Sequence, residues 1–168
     1  MAVRRTARPR PGRRLPAALA GAKLQTRTRP ARAAQVETAA ATGSLAELAR
    51  HKRHVLVTFR RDGRAVPTPL WAAVAGGAAY VRSERAAGKV KRLRRDPRAL
   101  IAPCDARGVA IGPPLAVRGR LLPAGAPEEA VAERALARRY GLGRAAFELI
   151  MDLLRVDMGY LELVPDQS

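Results

Sequence analysis

Two cationic residues, Lys89 and Arg92, follow a short apolar strand and a turn of small residues that ends at Gly88. A helix that begins after small residues leaves its first backbone N–H groups open, and its dipole adds positive potential there. Lys89 lies at the mouth of the turn, and Arg92, three residues on, shares its side of the helix. The pattern predicts an anion site, although a solvated basic helix is the usual meaning of such a charge run.

A second unusual stretch, Pro67-Thr68-Pro69-Leu70-Trp71, precedes the basic helix by about the length of a hairpin. Proline has no N–H to donate to a neighbouring strand, so this strand must lie at a sheet edge or contain a bulge. The backbone at Thr68 is then free to face a ligand. The two prolines would equally protect an edge strand from aggregation.

No side chain stands out as a nucleophile or a general base. His51 and His54 are the only histidines, and both come before or at the start of the first predicted strand. Cys104 follows an apolar strand and is typical of a buried small hydrophobe, and a turn explains Asp105. The catalytic residues are therefore unknown and no metal site is predicted. An enzyme with this sequence would take its chemistry from a cofactor.

The formal net charge of +18 in 168 residues requires an explanation. Residues 1–42 are rich in Arg, Pro and Ala, and no acidic residue occurs before Val36, which predicts a disordered basic leader. Such a leader could hold nucleic acid weakly. It also fits a transit peptide or a start codon assigned too far upstream.

One cysteine and the lack of long apolar runs limit the possible locations of the protein. Cys104 excludes an intramolecular disulfide, which suits a reducing compartment. No apolar run approaches the roughly 20 residues that span a bilayer. We therefore predict a cytoplasmic protein without a membrane segment.

Residues 43–168 are predicted to form one mostly β domain with flanking helices. Short strands joined by Gly turns favour a small barrel. The predicted helices are 44–50, 127–140 and 144–154, besides the basic one. The predicted strands are 54–59, 65–74, 78–83, 98–103, 115–122 and 158–164.

The order VLVTF, DGR, VPTPLW, Gly-Gly, YVRS, GKVKRLRRDPR and LIAPCDARG, followed by helices and a last strand, resembles the pyridoxamine 5'-phosphate oxidase-like flavin-binding split barrels. Within them it is most similar to the branch of coenzyme F420-dependent enzymes. The likeness covers residues 44–165. Ala87 departs from a common serine and Ala72 from a common aromatic residue.

The resemblance implies a homodimeric split β-barrel that binds a flavin or deazaflavin at the subunit interface and reduces or oxidises a small organic acceptor. By this likeness the cofactor is coenzyme F420, with flavin mononucleotide (FMN) as the alternative. The residues that match the family's cofactor site are Pro67, Thr68, Pro69, Trp71, Ser83, Gly88 and Lys89, with Lys91 and Arg92 as further phosphate candidates.

Two other functions stay open at this point. A basic module could hold nucleic acid through its leader, but aromatic residues are only 4% of the chain, which disfavours a stacking platform. A cofactor carrier without turnover would need the same contacts as an enzyme.

Overall fold

The structure is a computed structural model that describes residues 36–166, apart from the side chains of residues 142–148 and 150. The helices are α1 (Leu45–Arg50), α2 (Gly88–Arg95) and α3 (Pro127–Leu153). The strands are β1 (His54–Phe59), β2 (Ala65–Leu70), β3 (Ala73–Ala75), β4 (Ala78–Glu84), β5 (Arg98–Pro103), β6 (Leu115–Leu121) and β7 (Met158–Pro165). The predicted class, mostly β with flanking helices, is confirmed.

All seven strands form one antiparallel sheet in the order β2-β1-β5-β6-β7-β4-β3. Its two edge strands, β2 and β3, are consecutive in the sequence and are joined only by Trp71 and Ala72. The last Cα atom of β2 and the first of β3 are three residues apart in the sequence, so they lie at most about 11 Å from each other. The two edges must therefore approach each other here, which curls the sheet into a half-barrel.

The single strand predicted over 65–74 is wrong, because the structure divides it into β2 and β3. β2 pairs with β1, whereas β3 pairs with β4 at the other edge of the sheet. A strand cannot remain regular while it changes partner, so the break falls at Trp71 and Ala72. The proposed edge position of Pro67 and Pro69 agrees with the place of β2 at one end of the sheet.

The main core fills the inside of the curl. Helix α2 crosses it and inserts Val90 and Leu93, both buried, among the apolar side chains of β1, β4, β5, β6 and β7. Gly119 on β6 makes this possible, because a Cβ at this position would lie 3.0 Å from Leu93 Cδ2 and 2.9 Å from Leu163 Cδ2. The basic helix is therefore fixed on the inside of the sheet by its apolar side.

Two further clusters lie on the outer face of the sheet, one over each half. Helix α3 packs Ala132 and Leu136 on Tyr80 and neighbouring residues. Val36 is buried with Val55 and Val57 on the outer side of β1. Residues 1–35 of the predicted leader lie outside the described residues. The domain boundary at residue 43 stays a prediction.

Helix α3 contains the break that the sequence places after Tyr140. Gly141 has φ 50° and ψ −130°, a conformation that glycine adopts far more easily than other residues. Helix resumes directly after it and ends at Leu153, so the second predicted helix begins earlier than Arg144. No helix in the described part of the chain is both long and apolar enough to cross a membrane.

Candidate functional site

The start of α2 combines an open helix end with two cations. Its N-cap residue is Ala87, whose side chain makes no capping hydrogen bond. The first N–H groups of the helix therefore have no side-chain acceptor, and an anion is the natural partner for them. This is the local geometry that the sequence predicts for Gly88 and Lys89.

The Lys89 ammonium group is half-buried and lies close to another cation. Desolvation lowers the pKa of Lys89, the nearby positive charge of Arg92 lowers it further, and Glu84 partly opposes both effects. Among the described side chains, none forms a hydrogen bond or an ion pair with Lys89. A desolvated ammonium group without a bonded carboxylate favours the binding of an anion, which would restore the lost solvation.

Arg92 is held in place by a residue that no sequence pattern indicates. Its Nε donates a hydrogen bond of 2.7 Å to Oγ1 of Thr58, a fully buried residue of β1. A Cβ at Gly88 would lie 3.1 Å from Arg92 Nη1, so the guanidinium group lies against the start of the helix. With Nε bonded to Thr58, Nη1 of Arg92 lies beside Gly88, next to Lys89 and the open N–H groups.

The positive charge extends beyond this pair. Desolvation lowers the pKa of Arg92, and the charges of Arg60 and Arg95 lower it further. Arg95 is anchored by a 2.6 Å hydrogen bond from Nη2 to the carbonyl oxygen of Phe59. Four neighbouring positive charges therefore extend from the start of α2 to the residue after β1, namely those of Lys89, Arg92, Arg95 and Arg60.

Strand β2 divides its predicted site residues between two faces. Thr68 is opposite Leu56 in the β1–β2 register, and directly opposed residues point to the same side of a sheet. Leu56 belongs to the inner core, so Thr68 faces the side on which Thr58 meets Arg92. Pro67 and Pro69 are opposite Val57 and Val55 and face the outer cluster.

The other predicted site residues take separate positions. Ser83 is buried near the end of β4, and its hydroxyl donates to the carbonyl oxygen of Glu84 over 3.2 Å. Ser83 alternates with Arg82 and so shares the inner side of β4 with Val81, towards α2. Lys91 is exposed on α2. The structure therefore brings together Gly88, Lys89 and Arg92. The inner side of the sheet that α2 covers is also faced by Thr68 and Ser83. Lys91 is not part of this group.

Trp71 lies just beyond β2 and has a partner that the sequence did not indicate. Its ring stacks on that of Tyr140, with centroids 5.1 Å apart and an interplanar angle of 11°. The Tyr140 hydroxyl lies 2.8 Å from the carbonyl oxygen of Lys52 and 2.9 Å from that of Ala72. Trp71 is still 46% exposed, so its indole can contact a second ring. Ala72 itself is buried in the main core, so its small size serves packing there.

The candidate residues for acid-base chemistry have structural roles. His54 is buried and its Nε2 lies 2.9 Å from the carbonyl oxygen of Leu48. Desolvation raises the pKa of the Cys104 thiol to about 11, as expected for an unreactive buried cysteine. Asp105 accepts backbone hydrogen bonds from Arg107 and Val109 in its turn. Among the described residues, no three His, Cys, Asp or Glu side chains are grouped to hold a metal ion.

Comparison with protein-family models and with curated protein sequences finds no match for this chain. Solved structures do match. A FAD-binding protein from Mesorhizobium loti has a TM-score of 0.52 at 16% identity, over 73% of this chain and 84% of that one. The conserved hypothetical protein Rv2991 from Mycobacterium tuberculosis has a TM-score of 0.51 at 20% identity, over 75% and 82%.

HutZ, a heme storage protein from Vibrio cholerae, has a TM-score of 0.51 at 16% identity, over 70% of this chain and 84% of that one. At such identities the likeness concerns the fold alone, and the names of the Mesorhizobium loti and Vibrio cholerae proteins give different groups, FAD and heme. The curled antiparallel sheet and its flanking helices confirm the split-barrel prediction. The chain thus has the split-barrel fold that the sequence resemblance implies.

Proposed function

We propose that the protein binds coenzyme F420 and uses it in hydride transfer with a small organic acceptor. The observation that carries this proposal is the half-buried Lys89, which has no hydrogen-bonded or ion-paired partner among the described side chains and lies beside Arg92 at an uncapped helix start. Guanidinium and ammonium groups with open N–H groups fit a phosphate. Lys89 and Arg92 would hold the phosphodiester of the coenzyme.

The extent of the positive charge favours F420 over FMN. FMN presents one phosphate, which Lys89, Arg92 and the helix start would satisfy. Coenzyme F420 carries a phosphodiester and a tail of glutamates, and the additional charges of Arg60 and Arg95 beside Arg92 match such a tail. Opposite charges over a larger area increase both the affinity and the rate of association.

The bound deazaflavin would supply the hydride chemistry, and the protein's part is to bind and orient. Thr68 faces the interior side of β2, and Trp71 offers an exposed ring surface at the end of that strand. Among the described side chains the two histidines lie at the C-cap of α1 and in β1, so the proposal assigns no proton-transfer step to a protein residue. A homodimer would complete the walls of the site.

The test is a fluorescence titration of the purified protein with F420 and, separately, with FMN, at two salt concentrations. We expect micromolar binding of F420 that weakens with salt, and at least a tenfold loss of affinity in Lys89→Ala. Lys91→Ala is the matched control, because it removes the same charge from an exposed position on the same helix. Equal losses in the two variants would remove Lys89 from the site.

The same titration separates the alternatives. Binding of FMN alone would agree with the split-barrel fold but would imply an FMN-dependent reaction instead of an F420-dependent one. Binding of F420 without oxidation of its reduced form by any acceptor would indicate a carrier. If neither binds, the proposal is wrong, and nucleic-acid binding should be tested with and without residues 1–42.

A further inference from the structure

A second basic site lies away from the start of α2. A cleft of about 380 Å³ runs between α1, β3 and α3 and shares no residue with the proposed cofactor site. Its floor consists of small apolar side chains, and its charged side chains are arginines. The lining residues are Ala49, Ala73, Val74, Ala75, Val131, Arg134, Ala135, Arg138 and Arg139.

Arg134 and Arg138 are one turn apart on α3 and border the cleft. Like charges at this spacing repel each other on a helix. No acidic residue lines the cleft, and among the described side chains neither arginine has a hydrogen bond or an ion pair. The fold therefore gains no described polar contact from either guanidinium group.

Arg139 brings a third positive charge to the cleft. Its guanidinium group donates to the carbonyl oxygen of His51, while its Nε is buried without a hydrogen-bond partner among the described residues. Buried polar groups are nearly always satisfied, so a donor left without a partner calls for an explanation. An anion in the cleft would compensate the charge of Arg139 together with those of Arg134 and Arg138.

The apolar residues of the cleft determine which second chemical group the ligand must contain. Val131 and Ala135 on α3 face Ala73 to Ala75 of β3, and these small side chains create the concave surface. Ligand sites in proteins are typically apolar hollows with a few polar groups that fix the orientation. The volume suits one small molecule with an apolar body and one anionic end.

We propose that the cleft between α1, β3 and α3 binds an amphipathic anion, with its carboxylate or phosphate between Arg134 and Arg138 and its apolar chain over Val131 and Ala135. The proposal does not depend on F420 binding. A fatty acid and an alkyl phosphate share this chemistry, and titration with each decides between the two head groups.

The experiment is calorimetric titration of the full chain with decanoate and with decyl phosphate, in the absence of any cofactor. Decanol, which lacks the charge, and acetate, which lacks the chain, are the ligand controls. Trp71 is the only tryptophan. Arg139 lies 6.0 Å from the centroid of the Tyr140 ring, on which Trp71 stacks, so fluorescence gives a local second signal.

We expect saturable binding of one decanoate or decyl phosphate per chain and a loss of at least tenfold in Arg134→Gln/Arg138→Gln. Arg94→Gln/Arg107→Gln is the matched control, because it removes two exposed arginine charges elsewhere. Ala135→Met should also weaken binding by filling the floor. Equal affinity in the two double variants, equal binding of decanol, or no saturable binding would overturn the proposal.

Discussion

The hydroxyl of Thr58 accepts a 2.7 Å hydrogen bond from Nε of Arg92 and thereby connects the second-last residue of β1 to the middle of the basic helix α2. Thr58 is fully buried, so its side of the bond is shielded from water, while Arg92 is partly exposed. The bond fixes the direction in which the remaining nitrogens of Arg92 point. Thr58 is a positioning residue in the proposed site, and a strand residue sets the geometry of a helix residue 34 positions away.

Thr58→Val should disturb the proposed site while leaving the shape of the core nearly unchanged. Valine matches threonine in volume but cannot accept the hydrogen bond, and losing a hydrogen bond to a charged group costs about 1.5 to 3 kcal/mol. We expect a similar loss in the free energy of unfolding and weaker F420 binding. Thr58→Ser, which keeps the hydroxyl, is the control for denaturation and titration. Normal affinity in Thr58→Val would show that Arg92 needs no anchor.

The affinity for an anionic cofactor should fall at alkaline pH. Only protonated Lys89 attracts a phosphate, and desolvation and the charge of Arg92 lower the pKa of Lys89 below the usual 10.5. Affinity should therefore decline as pH rises towards that value, earlier than for an exposed lysine. Lys89→Arg keeps its charge over this range and should flatten the profile. Parallel profiles for the two proteins would assign the pH dependence to another group.

Gly119→Ala should displace the basic helix from the sheet. The added Cβ would lie 2.9 Å from Leu163 Cδ2 and 3.0 Å from Leu93 Cδ2, inside the main core. Such overpacking typically costs about 1 to 3 kcal/mol. Chemical denaturation measures the loss. Combining the change with Leu93→Ala should recover part of it, and simple additivity of the two losses would show that the side chains do not conflict.

Protein stability should fall in mild acid because of His54. Desolvation lowers the pKa of this buried histidine below 6.5, so the unfolded chain takes up a proton that the folded chain resists. The free energy of unfolding should therefore decrease as pH falls from about 6.5. Thermal unfolding between pH 7 and 5 should show this slope in the wild type and in His51→Gln. An unchanged slope in His54→Gln would exclude His54 as its source.

The local structure of the chain could largely be predicted from its sequence. Strand composition, Gly turns and the Ser44 cap locate the elements, because these signals act over a few residues. Ser44 does accept a hydrogen bond from the N–H of Glu47. The division of the strand at Trp71 could not be foreseen, since it depends on which distant strand each half pairs with.

The site could be predicted only in part for the same reason. Lys89 and Gly88 are neighbours in sequence, and their placement follows from the helix start. Thr58 and Tyr140 come from remote elements, and each is an ordinary residue of a strand or helix when considered alone. Only the fold shows that one contacts Arg92 and the other Trp71.

The connection through Trp71 and Ala72 also makes the chain vulnerable at one point. Because it joins the two edge strands, a single proteolytic cut there would leave a free chain end on both edges of the sheet at once. Unpaired edge strands are templates for pairing with other chains. The stack of Trp71 on Tyr140 and the burial of Ala72 hold this connection in place, so they would protect the protein from nicking and the aggregation that follows.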